Sequence, residues 1–105
     1  MAVKVFKTLR TLRSMERKLL PFMKTIEDRD IVLEIGYHAE IKVPLGVKQL
    51  HQLRIASEGT IGRRLKRLKS LGVVREQRSS QDRRNILLTL DPKIHAAWRR
   101  IQAAK

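Results

Sequence analysis

Cysteine is absent from the 105-residue sequence, which removes disulfides, thiolate metal sites and thiol redox sensing together. Aromatics are scarce: Phe6, Phe22, Tyr37 and Trp98 are all there are. The core must therefore be mainly aliphatic. Sequence reading of single-stranded RNA is also disfavoured, because it relies on aromatic stacking and none of the four lies in the basic stretch from residue 57 to residue 84. No apolar run approaches the roughly 20 residues needed to span a bilayer. Nor is there an H-E-x-x-H, G-x-S-x-G or Walker glycine pattern. His38, His51 and His95 are dispersed and read as ordinary polar or half-buried side chains. Glu27, Asp28 and Asp30 read as acids of a helix N-terminus, not as a hydrolytic cluster. No catalytic residue, metal ligand or cofactor is expected.

Acidic residues are the other minority. Ten face 24 basic residues, for a net charge of +14 and a pI near 11.3. Such a balance implies attraction to a polyanion without saying which one. The charge is unevenly spread: residues 1–24 hold seven basic and one acidic residue, and residues 57–84 hold nine and three. Between them, residues 25–40 set Arg29 against five acids, so the field is polarised. The hydrophobic fraction of 42% and mean hydropathy of -0.35 are those of a globular chain. A single domain spanning 1–105 is expected, with an N-terminal helical segment (1–23), a central unit (26–90) and a C-terminal helix (91–105).

The most informative stretch runs from Ser57 to Leu90. Ile61, Leu65 and Leu68 fall at i, i+4 and i+7, the spacing of one buried helix face. Gly59, Thr60, Arg63, Lys66 and Arg67 point the other way. Ser57 is a natural N-cap, and Gly72 fits the left-handed position of a Schellman stop, with Val73 folding back on Leu68. Val73-Val74 and Ile86–Leu90 then flank a polar tip, which reads as a two-stranded hairpin. A mid-helix glycine costs about 1 kcal/mol, so Gly62 is expected to allow close helix packing. A cationic helix followed by an arginine-tipped hairpin suits a major groove and the adjoining phosphates or minor groove. The plainer alternative is a solvated basic helix beside a surface hairpin.

Around this stretch, residues 3–20 read as an amphipathic helix ended by Pro21, with Val5, Leu9, Leu12, Leu19 and Met23 on one stripe. That helix is a core or dimer-interface element, a membrane-surface helix or an organelle transit segment. Residues 26–40 form a second helix with Ile31, Leu33 and Ile35 inward. Residues 41–44 are extended, and Val47 to Leu53 form a short helix with Val47, Leu50 and Leu53 inward. Two short helices joined by three or four residues, the second one basic, make the helix-turn-helix pattern. Asp91 and Pro92 open the last helix, on which Ile94, Trp98 and Ile101 share a face.

Residues 43–90 resemble the winged helix-turn-helix domain of the MarR-type bacterial transcriptional regulators. The likeness lies in Val47–Leu50, in Thr60–Leu68, in Leu71–Arg75 and above all in D-R-R-N-I-L-L-T-L from Asp82 to Leu90. It implies a mainly α (α+β) winged helix, with a two-stranded wing and flanking terminal helices. It also implies that Asp82 braces the wing and presents Arg84 to the minor groove. Only about fifteen residues follow Leu90, so a shortened C-terminal dimerisation region is expected.

The resulting expectation is a sequence-specific binder of double-stranded DNA acting in the cytoplasm at the nucleoid. Its DNA-facing residues would be Ser57, Glu58, Gly59, Thr60, Arg63, Arg64, Lys66, Arg67, Arg78, Arg83 and Arg84, with Asp82 in support. Glu58, Thr60, Arg63 and Arg64 are the candidate base readers, Arg63 foremost by periodicity. The alternative is a winged helix serving plasmid or phage replication or partition, or an architectural role. A homodimer through Val5, Leu9, Leu12, Leu19, Ile94, Trp98 and Ile101 is expected, although Trp98 equally suits the monomer core. No membrane partner is expected, and the sequence names no effector.

Overall fold

The structure is a computed structural model that describes residues 4–103. The expected helix start at residue 3 and end at residue 105 fall outside that range. Among the described residues five helices and three short strands follow one another as α1 (Val5–Leu19), α2 (Ile26–Glu40), β1 (Leu45–Gly46), α3 (Val47–Gln52), α4 (Glu58–Ser70), β2 (Val74–Arg78), β3 (Ile86–Leu90) and α5 (Pro92–Ala103). No helix among the described residues is long and apolar enough to cross a membrane.

Local chemistry sets most boundaries. Thr25 and Asp28 form a capping box at the start of α2: the Thr25 hydroxyl accepts from the Asp28 N–H, and the Asp28 carboxylate accepts from the Thr25 N–H. Ser57 caps α4 by accepting from the Thr60 N–H at 3.2 Å. Gly72, at φ +75°, closes α4 as a Schellman motif, with Val73 N–H bonded to Leu68 O and Gly72 N–H to Lys69 O, both at 3.0 Å. Asp91 opens α5 by accepting from the Lys93 N–H at 2.8 Å.

β3 is the central strand of an antiparallel sheet of order β1-β3-β2. The hairpin register pairs Val74 with Leu90 and Arg78 with Ile86, while Leu45 lies opposite Leu88 on the other edge. The two-stranded wing is thus part of a three-stranded sheet. The third is only two residues long and falls just after the segment expected to be extended. Ile31, Val32, Ile35, Leu50, Ile61, Leu65, Leu68, Leu88 and Leu90 fill the core.

Three interior assignments are corrected. Leu33 is exposed, because 100° per residue turns it away from Ile31 and Ile35, and Val32 takes its place. Leu53 lies beyond the last turn of α3 and is exposed. Gly62 faces open space, with nothing within 4 Å of where a Cβ would stand, so no close packing explains it.

Helix α1 departs furthest from a packed element. Residues 4–11 are all exposed, including Val5, Phe6 and Leu9, and only Glu16 and the flanking Leu20 are buried. The molecule measures 52 × 27 × 26 Å, with a radius of gyration of 15.0 Å. A compact chain of this length would give about 13 Å.

Candidate nucleic-acid interface

Helix α4 carries its cations on two faces. Ile61, Leu65 and Leu68 pin one side to the core, which leaves Arg63 and Lys66 exposed on the other. At its N-terminus the hydroxyls are chained: Ser57 donates to Thr60 Oγ1 at 3.0 Å, and Arg63 Nη2 donates to the same oxygen at 3.2 Å. Glu58 and Gly59 are exposed beside them. The first turn thus presents a hydroxyl pair, an acid and an arginine, all capable of meeting base edges or phosphate.

Arg64 corrects the expectation of a base reader. It turns inward, its Nε donating to Asp28 Oδ1 at 2.7 Å and its Nη2 to Asp28 Oδ2 at 2.5 Å. Arg67 also departs from the outward face. Its Nη1 donates to the Phe22 carbonyl at 2.7 Å and reaches Asp28 Oδ2 at 3.4 Å. The physical reason is position: residues 64 and 67 share a face that flanks the buried stripe, three apart, where a long side chain can fold onto α2.

Asp28 is the residue that sequence reasoning assigned only to a helix dipole. Its carboxylate is fully buried and also accepts from the Lys24 N–H at 3.0 Å. Burial by itself raises its pKa, yet the Arg64 hydrogen bond, the Lys24 and Thr25 N–H groups and the Arg64 charge hold it below the usual carboxylate range. The same bond raises the Arg64 pKa. The signal that could have found Asp28 was Thr25-x-x-Asp28, a capping-box spacing that fixes its side chain at a helix entrance.

The wing is ordered by its own polar groups. Ser79 N–H donates to Asn85 O at 2.9 Å, and the N–H groups of Gln81 and Asp82 point at Ser79 Oγ. Asp82 Oδ1 accepts from the Arg84 backbone N–H at 3.0 Å. Its contact is with the main chain and not with the guanidinium. Arg78 Nη1 donates to Arg83 O at 2.8 Å, so one edge of that guanidinium holds the tip. Arg83 and Arg84 are exposed, and among the described residues neither forms an ion pair. Lys69 of α4 bridges Glu76 of β2 and joins helix to wing.

The expected dimer residues are scattered in exposure. Val5 and Leu9 are about half exposed, and Leu12, Leu19, Ile94 and Trp98 are half-buried. Ile101 is buried within the single chain, at the floor of the groove between α1, α2 and α5. Ile94 and Trp98 pack partly against the core. Leu12, Leu33, Tyr37 and Trp98 line a groove of about 750 Å³ between α1, α2 and α5. Among the described residues no three His, Asp or Glu side chains cluster as metal ligands would.

No protein-family model matches the sequence, and no curated protein matches it. Solved structures do. The transcriptional regulator Tm0710 from Thermotoga maritima superposes at a TM-score of 0.68 and 21% identity, covering 94% of this chain and 68% of that one. A cysteine-to-serine mutant of MarR from E. coli, complexed with operator DNA, gives 0.61 and 19%, covering 94% and 69%. The PcaV transcriptional regulator from Streptomyces coelicolor with its natural ligand gives 0.59 and 20%, covering 98% and 76%. The order of helices and the hairpin after α4 match theirs, and the chain has the winged-helix fold seen in MarR-type transcriptional regulators.

Proposed function

We propose that this chain binds double-stranded DNA sequence-specifically and regulates transcription in the manner of the MarR-type proteins. One observation carries the reading. Arg63 and Lys66 on α4 and Arg83 and Arg84 on the wing are exposed cations without acidic partners among the described residues, on a fold shared with a MarR–operator complex. A helix of this kind fits the major groove, and the ordered tip supplies phosphate or minor-groove contacts. Glu58 and Thr60 stand at the helix entrance as further base-edge partners. The setting would be the cytoplasm, at the nucleoid.

We also propose a homodimer, since one winged helix reads only a few base pairs and a two-fold pair reads a palindrome. The exposed Val5, Phe6 and Leu9 on the first turns of α1 support it, as an apolar strip that none of the described residues covers.

Selection of tight-binding duplexes from a random pool, followed by anisotropy titration, tests the function. Enrichment of a short inverted repeat with steeply salt-dependent binding is expected. A pool that stays random, or iterated direct repeats in place of a palindrome, would overturn the regulator reading. Sedimentation equilibrium at tens of micromolar tests the dimer, and a monomer with and without DNA would overturn it.

A further inference from the structure

The recognition helix holds four arginine and lysine side chains between positions 63 and 67, and the structure splits them into two pairs. Arg63 and Lys66 are exposed, whereas Arg64 and Arg67 converge on one buried carboxylate. We infer that Asp28 is a positioning residue for DNA recognition, clamping α4 to the start of α2 through Arg64 and Arg67 so that Arg63 meets the bases in one register. This rests on the DNA-binding reading above and adds to it how the reading helix is held.

The geometry is that of a fixed joint. Asp28 is 0% exposed and sits in the first turn of α2, where the capping box with Thr25 already immobilises its side chain. Arg64 meets it with a two-pronged contact from Nε and Nη2, a planar pairing that fixes orientation as well as distance. Arg67 completes the clamp one turn later, and its bond to the Phe22 carbonyl extends it into the connection between α1 and α2. Contacts to base edges tolerate little displacement, and supporting side chains of this kind hold such contacts in place.

Charge and geometry make opposite predictions here. Asp28→Asn removes a negative charge and releases two arginines, so electrostatics alone predicts tighter binding to every duplex. The clamp predicts that selectivity falls instead. The experiment uses the full chain, its selected duplex and a scrambled duplex, titrated across salt. Asp28→Asn is expected to bind the scrambled duplex as well as or better than wild type, with a salt slope steeper by about 0.9 for each arginine that reaches a phosphate. Its preference for the selected duplex should fall by about tenfold or more, the value of a good bidentate base contact. A folded Asp28→Asn protein with undiminished preference would overturn the clamp.

Arg64→Lys keeps the charge but loses the two-pronged contact, and it decides the matter if Asp28→Asn does not fold. It should lose preference with an unchanged salt slope, and full retention of preference would overturn the proposal. Amide hydrogen exchange on the DNA-free proteins separates this from failure of the DNA reading. Exchange over residues 58–63 should quicken relative to the β-strands in the folded variant. Unchanged exchange overturns the clamp, whereas a wild type without duplex preference overturns only the DNA-binding proposal.

Discussion

The carboxylate of Asp82 accepts a hydrogen bond from the backbone N–H of Arg84, 3.0 Å away. An acid at the tip of a basic wing thus holds the chain path and leaves the arginine side chain outward. Its removal has opposed effects: less repulsion toward phosphate, and a looser tip. The bond is the larger influence where geometry matters, so Asp82→Ala should weaken binding to the selected duplex about two- to tenfold despite the added positive charge. Anisotropy titration checks it, and tighter binding by the variant would disprove the bracing role.

Arg63 and Lys66 should separate base reading from phosphate contact. Arg63→Ala is expected to relax preference at one base position, at a cost of about 1–3 kcal/mol for the favoured base. Lys66→Ala should weaken all duplexes alike and lower the salt slope by about 0.9. If both variants weaken selected and scrambled duplexes equally, Arg63 touches only phosphate.

Acid should loosen the joint at Asp28. Because its pKa is lowered on folding, the stabilisation it supplies is complete above its unfolded value, near pH 4, and is lost as pH falls through the lower folded value. Arg64, whose pKa is raised, stays charged throughout and contributes no step of its own in this range. Urea unfolding between pH 2.5 and 6 should show wild type losing stability below about pH 4 more steeply than Asp28→Asn. Parallel profiles would show that the carboxylate charge does not matter to the fold.

Gly62 offers the opposite kind of test. A Cβ there meets nothing within 4 Å, and the backbone is helical, so Gly62→Ala should stabilise the protein by about 1 kcal/mol. For a domain this size the melting temperature should rise by about 4–8 °C. A fall in melting temperature would mean that the position is packed after all.

Features encoded by neighbouring residues were readable from the chain itself. Ser57, Gly72 and Asp91 each make the cap that their residue types favour, and Ile61, Leu65 and Leu68 are buried together as their spacing required. Features that depend on distant partners were not. Arg64 looks like any other basic residue of α4 until Asp28, 36 positions earlier, is folded against it. Strand β1 exists only because β3 presents an edge to Leu45 and Gly46. Leu33 differs in kind: Ile31, Leu33 and Ile35 alternate with the period of a strand, and inside a helix that period turns Leu33 outward.

The free end of α1 has a hydrodynamic consequence. A particle twice as long as it is wide meets more drag than a sphere of equal mass, and the projecting helix gives this chain that outline. A single copy should leave a sizing column early, at a volume that spherical standards would assign to a heavier species. Light scattering across the peak, which weighs the particle without reference to its outline, separates an extended single chain from a true pair.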